Sequence, residues 1–237
     1  MSVKVFISSK LPENLKERLP GKVELLDVPL IKTNYLDFNP LILDAFQPDF
    51  IVFTSKNGVK SFLSRVNSDK LRENSIVSVG KSTSKLLKSY GLESIYPENF
   101  SADGLISMFE GKSLAGKRFL IVRPKVANES FIEFLRKREA VVEEVISYET
   151  ISDFFFSKEV LDFFKKGVDF AAFTSPSNLK TFLRIVPREY IKETKLIPIG
   201  TTTERALIEG GLPVYKLPEE FSLEGIVTLI EKELKFP

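Results

Sequence analysis

Four turns in the sequence combine the residue types that bind anions. They are FTSKNG from Phe53, SVGKST from Ser78, FTSPSN from Phe173 and PIGTTT from Pro198. Each follows a short apolar run and precedes an amphipathic stretch, so each is predicted to lead from a strand into a helix. The first N–H groups of a helix lack intrahelical partners and lie at the positive end of its dipole. These turns therefore predict sites for carboxylates or phosphates.

The candidate ligands in these turns are small polar side chains that a helix start would present. They are Thr54, Ser55, Asn57, Thr83, Ser175, Ser177, Thr201, Thr202 and Thr203. A Ser or Thr at one helix start is most often an N-cap, which stabilises by about 1 kcal/mol, and for any single turn that interpretation stays open. Recurrence at four matching places favours binding. The three consecutive threonines also exceed what one cap requires.

The absence of two residue types narrows the possible chemistry. The chain contains no Cys, which excludes disulfides and thiolate nucleophiles, and no His, which excludes Ser-His-Asp catalysis and histidine bases. Tyr148 is the candidate general acid, with packing between domains as the alternative. Arg123 ends the apolar run LIVRP and is either a surface charge or a further ligand at the same sheet edge. The SVGKST turn lacks the spaced glycines of a phosphate-binding loop.

Composition places the chain in an ordinary globular class. Its 237 residues suffice for one large domain or two small ones, with 43% apolar and 28% charged residues. No apolar run is long enough to span a membrane, and the N-terminal MSVKVFISSK is typical of a strand rather than of a signal peptide. We therefore expect a cytoplasmic protein without a membrane partner. A net charge of +2 does not indicate a nucleic-acid partner.

An internal duplication organises the chain. FTSKNGVKSFLSRV from Phe53 recurs as FTSPSNLKTFLRIV from Phe173, and the 40 columns that begin there contain 13 identities, against about three by chance. PENFSADG then matches PEEFSLEG after one inserted residue. A period this long indicates two similar domains rather than a solenoid. We call the stretch from Phe53 to Gly104 the first copy, and that from Phe173 to Gly225 the second.

The pattern within each copy predicts parallel α/β structure. Strands of the type IVFTS and SIVSV alternate with helices, short strands end at Pro97 and Pro218, and Ser101 and Ser222 are the predicted N-caps of the last helices. A βαβ segment precedes each copy, one from the N-terminus and one from RFLIVRPK. Two extended segments, VPLIKTNYLDF and VISYETISDF, are predicted to be paired linker strands. The pattern leaves open which βαβ segment packs with which copy.

The ordered motifs resemble the uroporphyrinogen-III synthase family over essentially the full length. They are F-T-S-x-N-G-V, V-G-x-x-T, LIVRP, A-V-V-x-x-x-x-x-Y-x-T, F-T-S-P-S and I-G-x-T-T-x-x-A-L-x-x-G-G. The resemblance implies two α/β lobes with parallel sheets flanked by helices. A two-stranded linker would join the lobes, and a ligand cleft would lie between them. It also implies that residues 1–34 plus 151–237 form lobe one and residues 35–150 lobe two.

The resemblance further implies a lyase of tetrapyrrole (heme) biosynthesis. Its substrate would be hydroxymethylbilane, cyclised with loss of water and inversion of the last pyrrole, without cofactor or metal. Tyr148 matches the family's acid candidate, and Thr202 and Thr203 match its carboxylate-binding pair. Thr201 departs from the family, as does the less Gly-rich FTSPSN turn. We expect a monomer, which can make a transient contact with the preceding enzyme of the pathway.

Two other functions remain open from the sequence. A two-lobed protein that binds a tetrapyrrole or another anion without chemistry shares the duplicated plan. A transferase that uses nucleotides or sugar phosphates would require a true phosphate loop or an acidic metal site, and the sequence displays neither.

Overall fold

The computed structural model describes residues 2–235, which form nine strands and ten α-helices. The strands are β1 Val3–Ile7, β2 Val23–Asp27, β3 Ile31–Tyr35, β4 Phe50–Phe53, β5 Ser75–Ser78, β6 Arg118–Pro124, β7 Val141–Ser152, β8 Phe170–Phe173 and β9 Lys195–Pro198. The helices are α1 Glu13–Lys16, α2 Ile42–Phe46, α3 Lys56–Leu63, α4 Lys81–Ser89, α5 Ala102–Phe109, α6 Ser130–Lys137, α7 Ser157–Lys165, α8 Pro176–Ile185, α9 Thr201–Glu209 and α10 Leu223–Lys235.

The chain divides into two compact units. Unit 1 comprises the described parts of Met1–Lys32 and Ile151–Pro237, and unit 2 is Thr33–Thr150. The chain passes between the units within β3 and within β7, the two segments predicted as paired linkers, and these strands are neighbours in one sheet. Within residues 2–235, every helix is too short or too polar to cross a membrane.

Unit 1 is built on a four-stranded parallel sheet of order β2-β1-β8-β9. The N-terminal βαβ segment therefore packs with the second copy, because β1 pairs with β8 from the far end of the chain. Successive side chains of β1 enter different cores: Phe6 packs with Phe164 and Phe182, whereas Ile7 packs on the side of Ile226. The sheet is thus buried on both faces, as parallel sheets require.

Unit 2 contains a five-stranded sheet of order β3-β7-β6-β4-β5, in which β7, β6, β4 and β5 run parallel. Here too the faces alternate, since Ile51 and Phe53 enter one core and Val52 enters the other. The repeated phenylalanines explain part of the duplication. Phe53 packs against Phe62 with ring centroids 5.7 Å apart, and the equivalent Phe173 and Phe182 lie 5.0 Å apart. Each pair fixes a helix on its strand.

The structure differs from the sequence prediction at the ends of the copies. The short strands predicted before Pro97 and Pro218 do not form in the described chain. Ile95 makes an isolated bridge to Val77, and Tyr215 donates one backbone hydrogen bond to Leu196. Proline lacks the N–H that a longer ladder would need. The sequence pattern also does not predict helices α2 and α7.

The predicted caps at Ser101 and Ser222 form. Ser101 Oγ accepts from the N–H of Gly104 at 3.1 Å, and Ser222 Oγ from that of Gly225 at 3.0 Å. A glycine is required at the third helical position because the preceding loop folds back on it. A Cβ at Gly104 would lie 1.8 Å from the carbonyl oxygen of Asn99. The repeated S-x-x-G thus encodes both a cap and a close backbone approach.

We predict that Gly104→Ala lowers the free energy of unfolding by about 2 kcal/mol or more, because the clash outweighs the higher helix propensity of alanine. Chemical denaturation measures this loss. The control is Gly21→Ala, where a Cβ meets nothing within 4 Å and the change should stay within about 0.5 kcal/mol. Equal stability of the two variants would contradict the steric explanation.

Candidate functional site

An open depression lies at the carboxyl ends of β4 and β5 in unit 2. It has a volume of about 620 Å³ and is framed by the first turns of α3 and α4. Its lining residues are Thr54, Ser55, Lys56, Val79, Gly80, Lys81, Ser82, Thr83, Lys85 and Phe100. The edge beyond the carboxyl ends of parallel strands is where open α/β sheets bind ligands.

The two helix starts at this depression differ in their caps. Ser55 Oγ caps α3 by accepting from the Gly58 N–H at 3.1 Å. The N-cap of α4 is Gly80, which has no side chain that can accept. The backbone N–H groups of Lys81 and Ser82 find no acceptor within residues 2–235, as is also true of those of Lys56 and Asn57 at the start of α3. The start of α4 is therefore suited to an external anion.

Three lysines surround the depression, and the sequence analysis missed them. Lys56, Lys81 and Lys85 are exposed, and none makes a salt bridge within the described part of the chain. Lys81 and Lys85 stand one helical turn apart on α4. That spacing, together with the turn SVGKST, was the available signal. Their charges add to the helix dipole in favouring a carboxylate.

Tyr148 lies on β7 and contacts Ser55, the N-cap residue of α3. Its hydroxyl lies 2.7 Å from Ser55 Oγ, and its side chain is buried. Burial raises the pKa of Tyr148 above its usual value, and the hydrogen bond to Ser55 partly offsets this rise. The phenol is thus held protonated at neutral pH beside a polar group that stabilises its anion. Tyr148 is therefore a candidate proton donor whose conjugate base has a hydrogen-bond partner in Ser55.

The other predicted residues of unit 2 occupy varied positions. Thr83 is buried, and its hydroxyl has no hydrogen-bond partner among the described residues. Thr54 donates its hydroxyl to the carbonyl of Val122 at 3.2 Å, and Asn57 donates to Thr33 at 3.1 Å. Thr54 and Thr83 thus share the depression with Ser55, while Asn57 lies on the first turn of α3.

Arg123 is placed differently from the hydroxyl residues. Its side chain is buried, and its guanidinium donates to Glu144 at 2.7 Å and to Glu129 at 3.3 Å. It borders a small cavity of about 170 Å³ that also touches Thr54 and Phe131. As placed, Arg123 fixes the end of β6 to neighbouring carboxylates, so its role as a ligand stays a prediction.

Unit 1 repeats the same two kinds of helix start. Ser175 caps α8 by accepting from the Asn178 N–H at 3.2 Å, and Gly200 precedes α9 without a side-chain cap. The N–H groups of Thr201 and Thr202 have no acceptor in the described chain, and neither has that of Ser177 at the start of α8. The exposed side chains at these starts are Ser177, Thr201 and Thr202, whereas Thr203 is buried like its counterpart Thr83.

Ser8 is a further polar residue of this edge that the sequence analysis missed. It follows β1, and its hydroxyl accepts from the backbone N–H of Thr174 at 3.0 Å. Asn178 then donates to Thr174 Oγ1 at 3.0 Å. The motif ISSK was the only signal. Among residues 2–235, no group of acidic side chains is arranged to hold a metal.

Comparison with known proteins identifies the family. The family model described as uroporphyrinogen-III synthase HemD matches residues 15–228. This chain belongs to the uroporphyrinogen-III synthase family. A relative named uroporphyrinogen-III synthase from Chlorobaculum parvum is 29% identical over 199 residues, which cover 78% of this chain and 79% of the relative. The match to the family model spans every candidate site residue, from Thr54 to Thr203.

Solved structures support the fold of this uroporphyrinogen-III synthase family member. The enzyme from Helicobacter pylori 26695 aligns with a TM-score of 0.68 at 23% identity, over 98% of this chain and all of that one. A mutant uroporphyrinogen III synthase from Thermus thermophilus aligns with a TM-score of 0.68 at 17% identity, over the whole of both chains. The predicted α/β class with parallel sheets flanked by helices is confirmed.

The contact between Ser55 and Tyr148 makes the titration of the phenol a test of the site. We predict that Ser55→Ala raises the pKa of Tyr148 further, because it removes the hydrogen bond that lowers it. The free energy of unfolding should fall by about 1 kcal/mol with the lost cap. Spectrophotometric titration of the phenols, with Tyr148→Phe to assign the step, measures the shift.

Ser175→Ala is the matched control, since it removes the equivalent cap in unit 1 and should leave the titration of Tyr148 unchanged. The raised pKa of Tyr148 also makes the free energy of unfolding depend on pH. The folded state binds the phenol proton more tightly than the unfolded chain, so this contribution is complete below about pH 10 and is lost as the pH rises through the folded-state pKa. Identical titrations of Tyr148 in the two alanine variants would contradict the assignment.

Proposed function

We propose that this chain converts hydroxymethylbilane to uroporphyrinogen III, with loss of water and inversion of the last pyrrole. The observation that carries the proposal is the pairing of a buried, protonated Tyr148 with a helix start that is ready for an anion. The hydroxyl of Tyr148 contacts Ser55, and Ser55 lines the same depression as the uncapped start of α4. Membership of the family supports the same reaction.

The carboxylates of the substrate provide its handles. Hydroxymethylbilane carries acetate and propionate side chains on its pyrroles, and each unit offers a helix start with free N–H groups. In unit 2 these belong to Lys81 and Ser82, flanked by Thr83, and in unit 1 to Thr201 and Thr202, flanked by Thr203. Binding through backbone groups explains how a chain of net charge +2 can hold a polyanion.

Tyr148 is proposed to donate its proton to the terminal hydroxyl of the substrate. The C–O bond then breaks, water leaves, and an azafulvene cation remains on the bilane. Ser55 stabilises the phenolate that forms, and the positive end of α3 acts in the same direction. The proton lost when the ring closes returns the phenolate to phenol, so the enzyme ends in its starting state.

The rearrangement uses the electrons of the substrate. The cation attacks the substituted carbon of the last pyrrole, the resulting spiro intermediate fragments, and the ring recloses with that pyrrole inverted. We assign to the protein the holding of the carboxylates during this sequence, which favours attack at one carbon by orientation. No cofactor is required by this scheme. We further propose that the two units are the two lobes of the family, and that the protein acts as a cytoplasmic monomer.

The decisive assay adds purified protein to freshly prepared hydroxymethylbilane and separates the oxidised uroporphyrin isomers. Mostly III isomer is the expected result, since the bilane closes by itself to the I isomer. We predict that Tyr148→Phe lowers turnover by about a hundredfold and leaves residual activity, because orientation by the carboxylate sites persists. Only I isomer from folded wild-type protein would favour a tetrapyrrole-binding protein without catalysis.

Two lysines of α4, Lys85 and Lys88, allow substrate binding to be tested separately from the chemical step. We predict that Lys85→Gln raises KM about two- to fivefold with little change in kcat, because an exposed contact to a carboxylate is weak and acts in binding. The matched control is Lys88→Gln, since Lys88 lies on the same helix but pairs with Glu93 at 3.4 Å. Equal values of KM for the two variants would remove Lys85 from the site.

A further inference from the structure

A β-bulge lies directly before Tyr148. In the pairing of β6 with β7, Arg123 lies opposite Ile146 and Pro124 lies opposite Tyr148, so Ser147 is the extra residue. In a regular strand, residues 146 and 148 would share a face. Here Ile146 is 40% exposed, whereas Ser147 and Tyr148 are 0% and 6% exposed. The bulge therefore turns Tyr148 away from the face of Ile146 and toward Ser55.

One buried hydroxyl fastens the bulge. Ser61 on α3 is fully buried, and its Oγ donates to the carbonyl oxygen of Ser147 at 2.6 Å. The N–H of Leu36 donates to the same oxygen at 2.9 Å. Helix α3 consequently holds Tyr148 at two points, through Ser55 at the phenol oxygen and through Ser61 at the preceding peptide.

We propose that Ser61 is a positioning residue for Tyr148, acting through the carbonyl of Ser147. The hydroxyl oxygens of Ser55 and Tyr148 lie 2.7 Å apart, and either hydroxyl can be the donor. When Ser55 donates, the hydrogen of Tyr148 is left for a substrate. This direction depends on the placement of the phenol oxygen, and displacements of about 1 Å at such a group cost large factors in rate.

The duplication supplies a comparison residue. The equivalent of Ser61 in the second copy is Thr181, whose hydroxyl donates to the carbonyl of Ser177 at 3.0 Å and lies 2.9 Å from Ser152 Oγ. Thr181 is as buried as Ser61. Its contacts involve neither a bulge nor a tyrosine, so the same helix position has a positioning role in the first copy alone.

The kinetic test rests on the proposed function and is a double-mutant cycle. We expect Ser61→Ala to lower kcat for the III isomer about tenfold with KM within about twofold, and to cause no further loss in a Tyr148→Phe background. The variant should fold, because the Ser147 carbonyl keeps the Leu36 N–H. Thr181→Val is the control, and any loss it causes should be the same in both backgrounds.

Titration of the phenol tests the positioning without any activity. We expect Ser61→Ala to shift the titration step of Tyr148, and Thr181→Val to leave it in place. A loss of kcat that is equal with and without Tyr148, or an unmoved step in Ser61→Ala, would overturn the proposal. If wild-type protein yields only the I isomer, the proposed function fails, and the titration alone then decides whether Ser61 positions the phenol.

Discussion

The first N–H groups of a helix need acceptors, and this chain supplies a side-chain acceptor at some helix starts and none at others. Ser55 and Ser175 accept from the third N–H group of α3 and α8, whereas α4 and α9 follow Gly80 and Gly200 and have no side-chain cap. A side chain at either glycine would press on a phenylalanine, at 3.3 Å from Phe100 or 3.2 Å from Phe221. A capping side chain would therefore have to displace the phenylalanine by a few tenths of an ångström, and the unmet N–H groups of the glycine-capped helices can be satisfied by an anionic substrate.

Much of the fold follows from local rules that the sequence displays. The phenylalanine pairs and the S-x-x-G caps are determined by contacts within a few residues or one strand–helix unit, and the predicted caps are confirmed. The positions of the four candidate anion-binding turns follow from the same rules, because parallel strands end at one edge of a sheet. The pairing of β1 with β8 was open from the pattern alone, since either copy offers a free strand edge to the N-terminal segment.

The features that the sequence left hidden are those that depend on distant residues. Ser55 and Tyr148 are 93 positions apart, and their contact requires a one-residue bulge that no hydrophobic pattern encodes. Arg123 looked like a free charge at a strand end, but the side chains of Glu144 and Glu129 reach it from two neighbouring elements. Lys81 and Lys85 were not predicted because exposed lysines are common in any sequence. They become candidate ligands only because they line the depression in the folded chain.

The two copies differ at the residue three positions after the capping serine, and only in the first copy does that serine contact a tyrosine. In the second copy Asn178 donates its side-chain amide to the cap Ser175 at 3.2 Å, so the capping hydroxyl finds its second partner within the same turn. In the first copy the equivalent residue is Gly58, which has no side chain to offer. Ser55 therefore has no side-chain amide partner within its own turn, and its hydroxyl contacts the phenol of Tyr148 instead. Gly58 thus leaves the capping hydroxyl of Ser55 free of the intraturn amide contact that Asn178 makes in the second copy, and the partner of Ser55 is the proposed proton donor.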